Sequence, residues 1–185
     1  MNERRMLDRA EVATPIGRVL LLAENGRLVG LEFSDKPARV AVLRRQIARA
    51  IGPFDERPAR DAAGAGARLR RYFAGDAAAL DDQPVTSHGT AFQRAVWRAL
   101  RRIPAGRTLS YAGLAKKIGR PAAVRAVGAA NGANPVALFV PCHRVIASDG
   151  SLHGYGGGLE RKRWLLDHEE SARARGGSRG ARRLA

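Results

Sequence analysis

One stretch brings together side chains able to do chemistry: Val140-Pro141-Cys142-His143-Arg144-Val145. Cys142 is the only cysteine in 185 residues, and a histidine follows it directly. A thiol attacks carbon as its thiolate, and at an unperturbed pKa only about 3% is ionised at neutral pH. A working cysteine therefore needs a base or a positive charge close by, and His143 and Arg144 could supply either. Taken alone, these six residues leave the alternative open, because lone buried cysteines commonly serve as small apolar core residues.

The elements around the stretch are the ones that would position it. Asn134-Pro135 breaks any preceding helix, because a residue before proline is pushed towards extended backbone. Val136 to Val140 then reads as a buried strand that delivers Cys142 at its end. Downstream, Gly150, Gly154, Gly156, Gly157 and Gly158 surround Tyr155, a loop whose backbone can lie close to a ligand. No Gly-Lys-Ser/Thr follows it, which sets aside a phosphate cradle. A helix from about Leu159 to Glu170 turns Trp164, Leu165 and Leu166 inward and carries Glu169 near its end.

Upstream, Thr90-Ala91-Phe92-Gln93 has capping-box spacing, and the helix it opens carries Val96, Trp97, Leu100 and Ile103 on one face. Ser110 caps a short helix through Ile118. Gly119-Arg120-Pro121 turns the chain, and Ala122 to about Asn131 forms a second helix of small residues that carries Arg125. Two short helices across a three-residue turn have a helix-turn-helix shape. Small side chains such as Ala123 and Ala126 permit close approach to another surface, or close packing within the protein.

The first 84 residues suggest support rather than chemistry. Arg18–Ala23 and Leu28–Phe33 are strand-like runs joined by Asn25-Gly26, a hairpin signal with positive φ. Arg39 to Ile51 is an amphipathic helix stopped by Gly52-Pro53, and a second helix spans about Ala65 to Phe73, packing Leu69, Tyr72 and Phe73. Asp81-Asp82-Gln83-Pro84 reads as a linker.

Charge is unevenly placed in a chain of net +16. Residues 1–84 carry 15 basic and 12 acidic side chains, residues 85–170 carry 13 and 5, and the last 15 carry five arginines and no acid. A basic excess in one half suggests a polyanion, nucleic acid first, with a plain solubility charge as the alternative. No apolar run reaches membrane-spanning length, and Met1-Asn2-Glu3-Arg4-Arg5 leads into no signal-type core, so a cytoplasmic protein without membrane attachment is expected. One cysteine excludes an internal disulfide and fits a reducing compartment. His88, His143, His153 and His168 lack zinc-ligand spacing, so no metal or cofactor is expected.

Pro-Cys-His-Arg-Val, preceded by Arg125-Ala126-Val127-Gly128 and Asn134-Pro135-Val136, resembles the O6-alkylguanine-DNA alkyltransferases. The match continues from Phe92-Gln93 through Ser110-Tyr111 and Gly157-Gly158 to Trp164-Leu165-Leu166 and His168-Glu169. The resemblance implies a two-domain α/β protein. Residues 1–84 would form a small ribonuclease-H-like domain with its linker, and residues 85–170 a mainly helical catalytic and DNA-binding domain with a helix-turn-helix and an active-site cysteine loop. Residues 171–185 would be a basic, disordered tail. It implies DNA repair by one irreversible transfer of an alkyl group from O6-alkylguanine in double-stranded DNA to Cys142, by a monomer, without cofactor.

By the same resemblance His143 activates the thiol through a water, Glu169 orients the imidazole, and Tyr111 donates to the departing base. The Cys142 and Val145 carbonyls would accept from the guanine amine, the Gly156 amide would approach O6, Tyr155 and Ala137 would wall the pocket, and Asn134 would act as the hinge. Ser110, Tyr111, Ala123, Ala126 and Arg125 would meet DNA in the minor groove, with Arg125 replacing the flipped nucleotide. Three positions depart from many relatives: Gly156 in place of a serine, Ala137 in place of a proline and Asn131 in place of a bulkier apolar residue.

Three other functions are weighed by their own signals. A non-catalytic damage sensor of similar sequence would lack Cys142. A helix-turn-helix regulator of this type would need a further cysteine-rich zinc domain. A papain-like hydrolase would need a distant histidine and an oxyanion hole, and would turn over many times.

Overall fold

The computed structural model describes residues 4–181, with side chains through 175. The chain starts on a sheet built around the expected hairpin. Strands β2 (Gly17–Glu24) and β3 (Arg27–Phe33) are antiparallel, and Asn25 and Gly26 between them have φ of 49° and 72°. Two further strands flank this pair, β1 (Arg5–Thr14) beside β2 and β4 (Phe54–Pro58) parallel to β1, giving the order β3-β2-β1-β4. These two were not read from the sequence. Asp8, Arg9 and Glu56 break up their apolar alternation, and in the fold such charges pair on the surface, as in Arg57–Asp8 at 2.6 Å.

Period-two alternation gives the sheet two apolar faces. Leu7, Leu20, Leu22 and Val29 meet Val40, Leu43 and Ile47 of helix α1 (Pro37–Ile51). Val19, Leu21, Leu28, Leu31 and Phe33 face the other way, into a core that also contains Leu69 and Tyr72 of α2 (Ala65–Phe73) and the buried residues of the C-terminal half. A register shift pairs Leu22 with Gly30 but Ala23 with Leu28, so Val29 bulges. That is why Leu28 and Leu31, three apart, share a face.

Thr90 caps α3 (Ala91–Leu100) with the full capping box, and the Trp97 indole N–H donates to the Ala130 carbonyl at 2.9 Å, tying α3 to α5. Ser110 caps α4 (Tyr111–Lys117). Gly119 ends it with φ 71°, Arg120 N–H reaching back to the Ala115 carbonyl in a Schellman pattern. The next helix, α5 (Val124–Gly132), starts two residues later than expected, because Pro121 and the turn through Ala123 are consumed in the reversal. No described helix is long and apolar enough to cross a membrane.

Two expectations fail. Val136–Val140 is not a strand: only Val136 bridges, to Leu31, and the chain then turns, with Val140 N–H donating to the Val136 carbonyl and Leu138 at φ 70°. The apolar run is buried because it plugs the gap between the β3 edge and α3, which needs no extended ladder. The basic tail is not wholly irregular either. Helix α6 (Leu159–Ala181) runs on through it, since Ser-Ala-Arg-Ala-Arg is made largely of good helix formers and Ala172 is buried. Residues 1–3 of the signal-segment expectation and 182–185 of the tail lie outside the described residues.

Candidate active site

Cys142 opens a short 3-10 turn, Cys142–Arg144, immediately after the plugged turn. Asn134 holds that turn in shape: its Nδ2 donates to the Val140 carbonyl at 2.7 Å and its Oδ1 accepts from Val136 N–H at 3.0 Å. The strand behind it is anchored in turn by Leu31 N–H, which donates to the Pro135 carbonyl at 2.8 Å. The expected hinge residue thus braces the cysteine against the edge of the sheet. After the turn, Val145–Ile146 (β6) pairs with Leu109–Ser110 (β5), which leads straight into Tyr111.

His143 and Glu169 meet. His143 Nε2 lies 2.9 Å from Glu169 Oε1, and both side chains are fully buried. Glu169 accepts from four further donors: Arg144 Nη2 at 2.8 Å and the Tyr72 hydroxyl at 2.8 Å on the same oxygen, Arg144 Nε at 2.9 Å and Gly106 N–H at 3.1 Å on the other. Burial alone would push this carboxyl up. The hydrogen bonds from His143 and Arg144, with the charge of Arg144, outweigh it and hold Glu169 well below the usual carboxylate range.

Burial likewise pushes the His143 imidazole down, against the pull of Glu169, so the ring is neutral at pH 7. A carboxylate can only accept, so Nε2 carries the proton and Nδ1 holds the free lone pair. Nδ1 is buried without a hydrogen-bond partner among the described residues. Burial raises the Cys142 thiol, while the Asn134 side chain and the charge of Lys162 oppose the rise. The resting pair is therefore a thiol next to a base of fixed tautomer.

Cys142 lines a small cavity of about 10 Å³, roughly one water-sized sphere. Asn134, Ala137, Tyr155 and Gly156 line it, joined by Phe33 and Arg39 from the sheet half. A Cβ at Gly156 would meet the Arg39 guanidinium, the far end of a flexible, part-exposed side chain that would have to swing aside. Arg39 in turn is paired with Glu32 at 2.8 Å. The Tyr155 ring stands edge-on to His143 at 6.4 Å, and its hydroxyl is buried and unpartnered among the described residues. Tyr111 is half-buried and donates to the His153 carbonyl at 3.2 Å, across the mouth of the glycine loop.

Of the two carbonyls expected to read the base, Cys142 O already accepts from Val145 N–H and from Asn131 Nδ2 at 3.3 Å, and Val145 O accepts from Lys162 Nζ at 2.7 Å. Arg125 and Ala126 lie exposed at the start of α5, Ala123 half-buried before it, and Ser110 is occupied capping α4 through Gly113 N–H. None of these four bonds the buried relay, and Ser110 directly precedes Tyr111 in the chain.

A model of the 6-O-methylguanine DNA methyltransferase DNA-binding domain matches residues 91–171. A methylated-DNA–protein-cysteine methyltransferase of Shigella flexneri is 44% identical over 160 residues, covering 86% of this chain and 93% of that one. The chain belongs to the methylated-DNA–protein-cysteine methyltransferase family. Among solved structures, the Mycobacterium tuberculosis O6-methylguanine methyltransferase superposes with a TM-score of 0.74 at 39% identity, covering 90% of this chain and 94% of that one. The M. tuberculosis protein in complex with DNA gives 0.72 at 39% identity, with 89% and 94% covered. Membership makes this chain a methyltransferase whose acceptor is a protein cysteine, and Cys142 is the one cysteine it has.

Besides Arg39, sequence reasoning left four members of this methyltransferase's site without their role. Lys162, fully buried, bonds the Val145 and His153 carbonyls. It was readable in principle: Lys162, Leu165, Glu169 and Ala172 fall at i, i+3, i+7 and i+10, which places the lysine on the inward stripe. Arg144 was taken as a possible charge for the thiol but is committed to Glu169. Asn131 was noted only as a departure from relatives but is buried beside the cysteine. Tyr72 left no signal at all, since its partner is 97 residues away.

Proposed function

We propose that the protein repairs DNA by a single irreversible transfer of an alkyl group from guanine O6 to Cys142 Sγ. The observation that carries this is the buried Glu169–His143 pair beside a buried thiol, with His143 Nδ1 alone left free to take a proton. Nδ1 takes the thiol proton, through a bridging water because the two residues are adjacent in the chain. The thiolate attacks the O6-bound carbon in line, the C–O bond breaks, and the electron pair leaves with the guanine. Tyr111 donates to the departing base. Its hydroxyl is held above its ordinary pKa by burial and then by the neighbouring cysteine, so it is protonated when needed. Val145 O, which also takes the Lys162 bond, accepts from the guanine amine, and the Gly156 amide meets O6. Cys142 O can do the same only by exchanging Asn131.

Alkylguanine is far larger than this cavity, so the loop around Gly154 and Gly158, both at positive φ, shifts to admit it. The base must leave its stack, and Arg125, exposed at the N-terminal end of α5, fills the gap from the minor groove. We read α4 and α5 with Ser110, Ala123 and Ala126 as a helix-turn-helix, and the sheet order with β1 and β4 parallel as a ribonuclease-H-like domain ending near residue 84, with the catalytic domain over 85–170. The thioether formed has no leaving group that the relay could expel, so each monomer acts once. The test is stoichiometry: with excess methylated duplex, restored guanine should stop at one equivalent per protein. Steady turnover beyond that would reject the mechanism.

A further inference from the structure

Three donors crowd one oxygen of Glu169, and one of them comes from the far half of the molecule. Tyr72, on α2 beneath the sheet, is fully buried and donates its hydroxyl to Oε1, the same atom that accepts the His143 Nε2–H bond. Its backbone carbonyl lies 2.8 Å from His168 Nε2, a hydrogen bond that ties down the residue next to Glu169. The His168 ring in turn stacks on Trp164 at 4.9 Å and 13°, one turn earlier on α6. Two consecutive residues of α6 are thus pinned to a single residue of the sheet half.

We infer that Tyr72 is a positioning residue of the catalytic relay, setting through Glu169 both the aim and the proton affinity of His143. This rests on the relay proposed above. A carboxylate offers about four lone-pair directions, and Glu169 has five donors. Every donor spreads the negative charge, so each weakens the pull that Glu169 exerts on the His143 proton. Tyr72 remains a donor at neutral pH, because burial first and the Glu169 charge second hold its hydroxyl well above the ordinary phenol range. Arg144 must stay to neutralise Glu169, and Gly106 bonds the other oxygen. Tyr72 is the uncharged donor that competes with His143 directly. The sheet half therefore acts on the chemistry as well as on the fold.

Tyr72→Phe keeps the ring and removes the donor, leaving Glu169 satisfied by the rest. Its charge then falls more fully on His143, so the imidazole holds its proton to higher pH. Single-turnover methyl transfer from O6-methylguanine duplex is measured from about pH 5 to about pH 9. The acid limb of the Tyr72→Phe profile should move up by about half to one pH unit, the proton-affinity equivalent of one neutral hydrogen bond. Replacing Tyr72 by a ring-fluorinated tyrosine, a stronger donor of nearly the same shape, should move the limb the other way. A packing role alone would lower the melting temperature and scale the rate equally at every pH. That result, or superimposable profiles, would overturn the inference while leaving the relay intact. Glu169→Gln is run in parallel: if it kept the wild-type rate and profile, the relay itself would be wrong and the inference would fall with it.

Discussion

Glu169 and Arg144 form a fully enclosed ion pair, and cutting it from either side should show how strongly the site is wired into the fold. The two side chains are 0% and 2% exposed and make two parallel hydrogen bonds, at 2.8 and 2.9 Å. Removing one partner of such a pair leaves an uncompensated buried charge, which costs about 3–5 kcal/mol. Against a total stability of roughly 5–15 kcal/mol, Glu169→Gln should survive but melt about 10 °C lower. Arg144→Met should lose a similar amount, plus its bond to the Ile103 carbonyl at 2.6 Å. The double variant should lose far less than the two losses combined, because no unpaired charge remains.

Urea unfolding of the four proteins gives the coupling directly, expected at about 2 kcal/mol or more. The pH dependence has a definite sign. The folded-state Glu169 carboxyl is depressed, so its contribution is present above the unfolded carboxylate pKa of about 4.3 and is lost as pH falls below it. His143 is also depressed by burial, so stability already begins to decline below about pH 6.5. Glu169→Gln should flatten the lower part of this curve. Additive single losses, within about 0.5 kcal/mol, would refute the reasoning.

Other outcomes follow from the same geometry. His143→Ala should transfer slowly at pH 7 and recover as pH rises through the burial-raised thiol pKa, and a pH-independent loss would contradict the base assignment. Asn134→Ala removes both bonds that shape the turn before Cys142, and should cost about 2–3 kcal/mol in melts together with a slower transfer. Gly156→Ser should be tolerated, because the Arg39 guanidinium it meets can swing aside, and a large loss of transfer rate that Arg39→Ala restores would contradict this. Arg125→Ala should lose roughly tenfold or more on duplex substrate, less on a single strand and almost nothing on free O6-benzylguanine. Equal losses on all three would move Arg125 from the groove into the pocket or the fold.

Local rules carried much of this structure. Asn25-Gly26 gave its hairpin, Thr90 and Ser110 gave their caps, and the stripes of α1, α2 and α3 followed from spacing. What failed were elements decided by distant partners. β1 and β4 carry too many charges to announce themselves, and only cross-strand pairing reveals them. Val136–Val140 has the composition of a strand, but Asn134 and the β3 edge bend it into a turn. In the site, Cys142, His143 and Glu169 were legible through their motif, and Lys162 through its place on an inward stripe. Tyr72 and Arg39 were not, because nothing local shows that the sheet half lends side chains to the cysteine pocket.

The central claim is that the alkyl group ends on Cys142, once, and stays there. Intact protein and peptide masses after incubation with excess O6-methylguanine duplex test it most directly. The account predicts one added methyl group per molecule, confined to the peptide containing Pro141-Cys142-His143, and none on Cys142→Ala, which should still bind the duplex. Unmodified protein alongside repaired DNA, or a methyl group on any other residue, would contradict it.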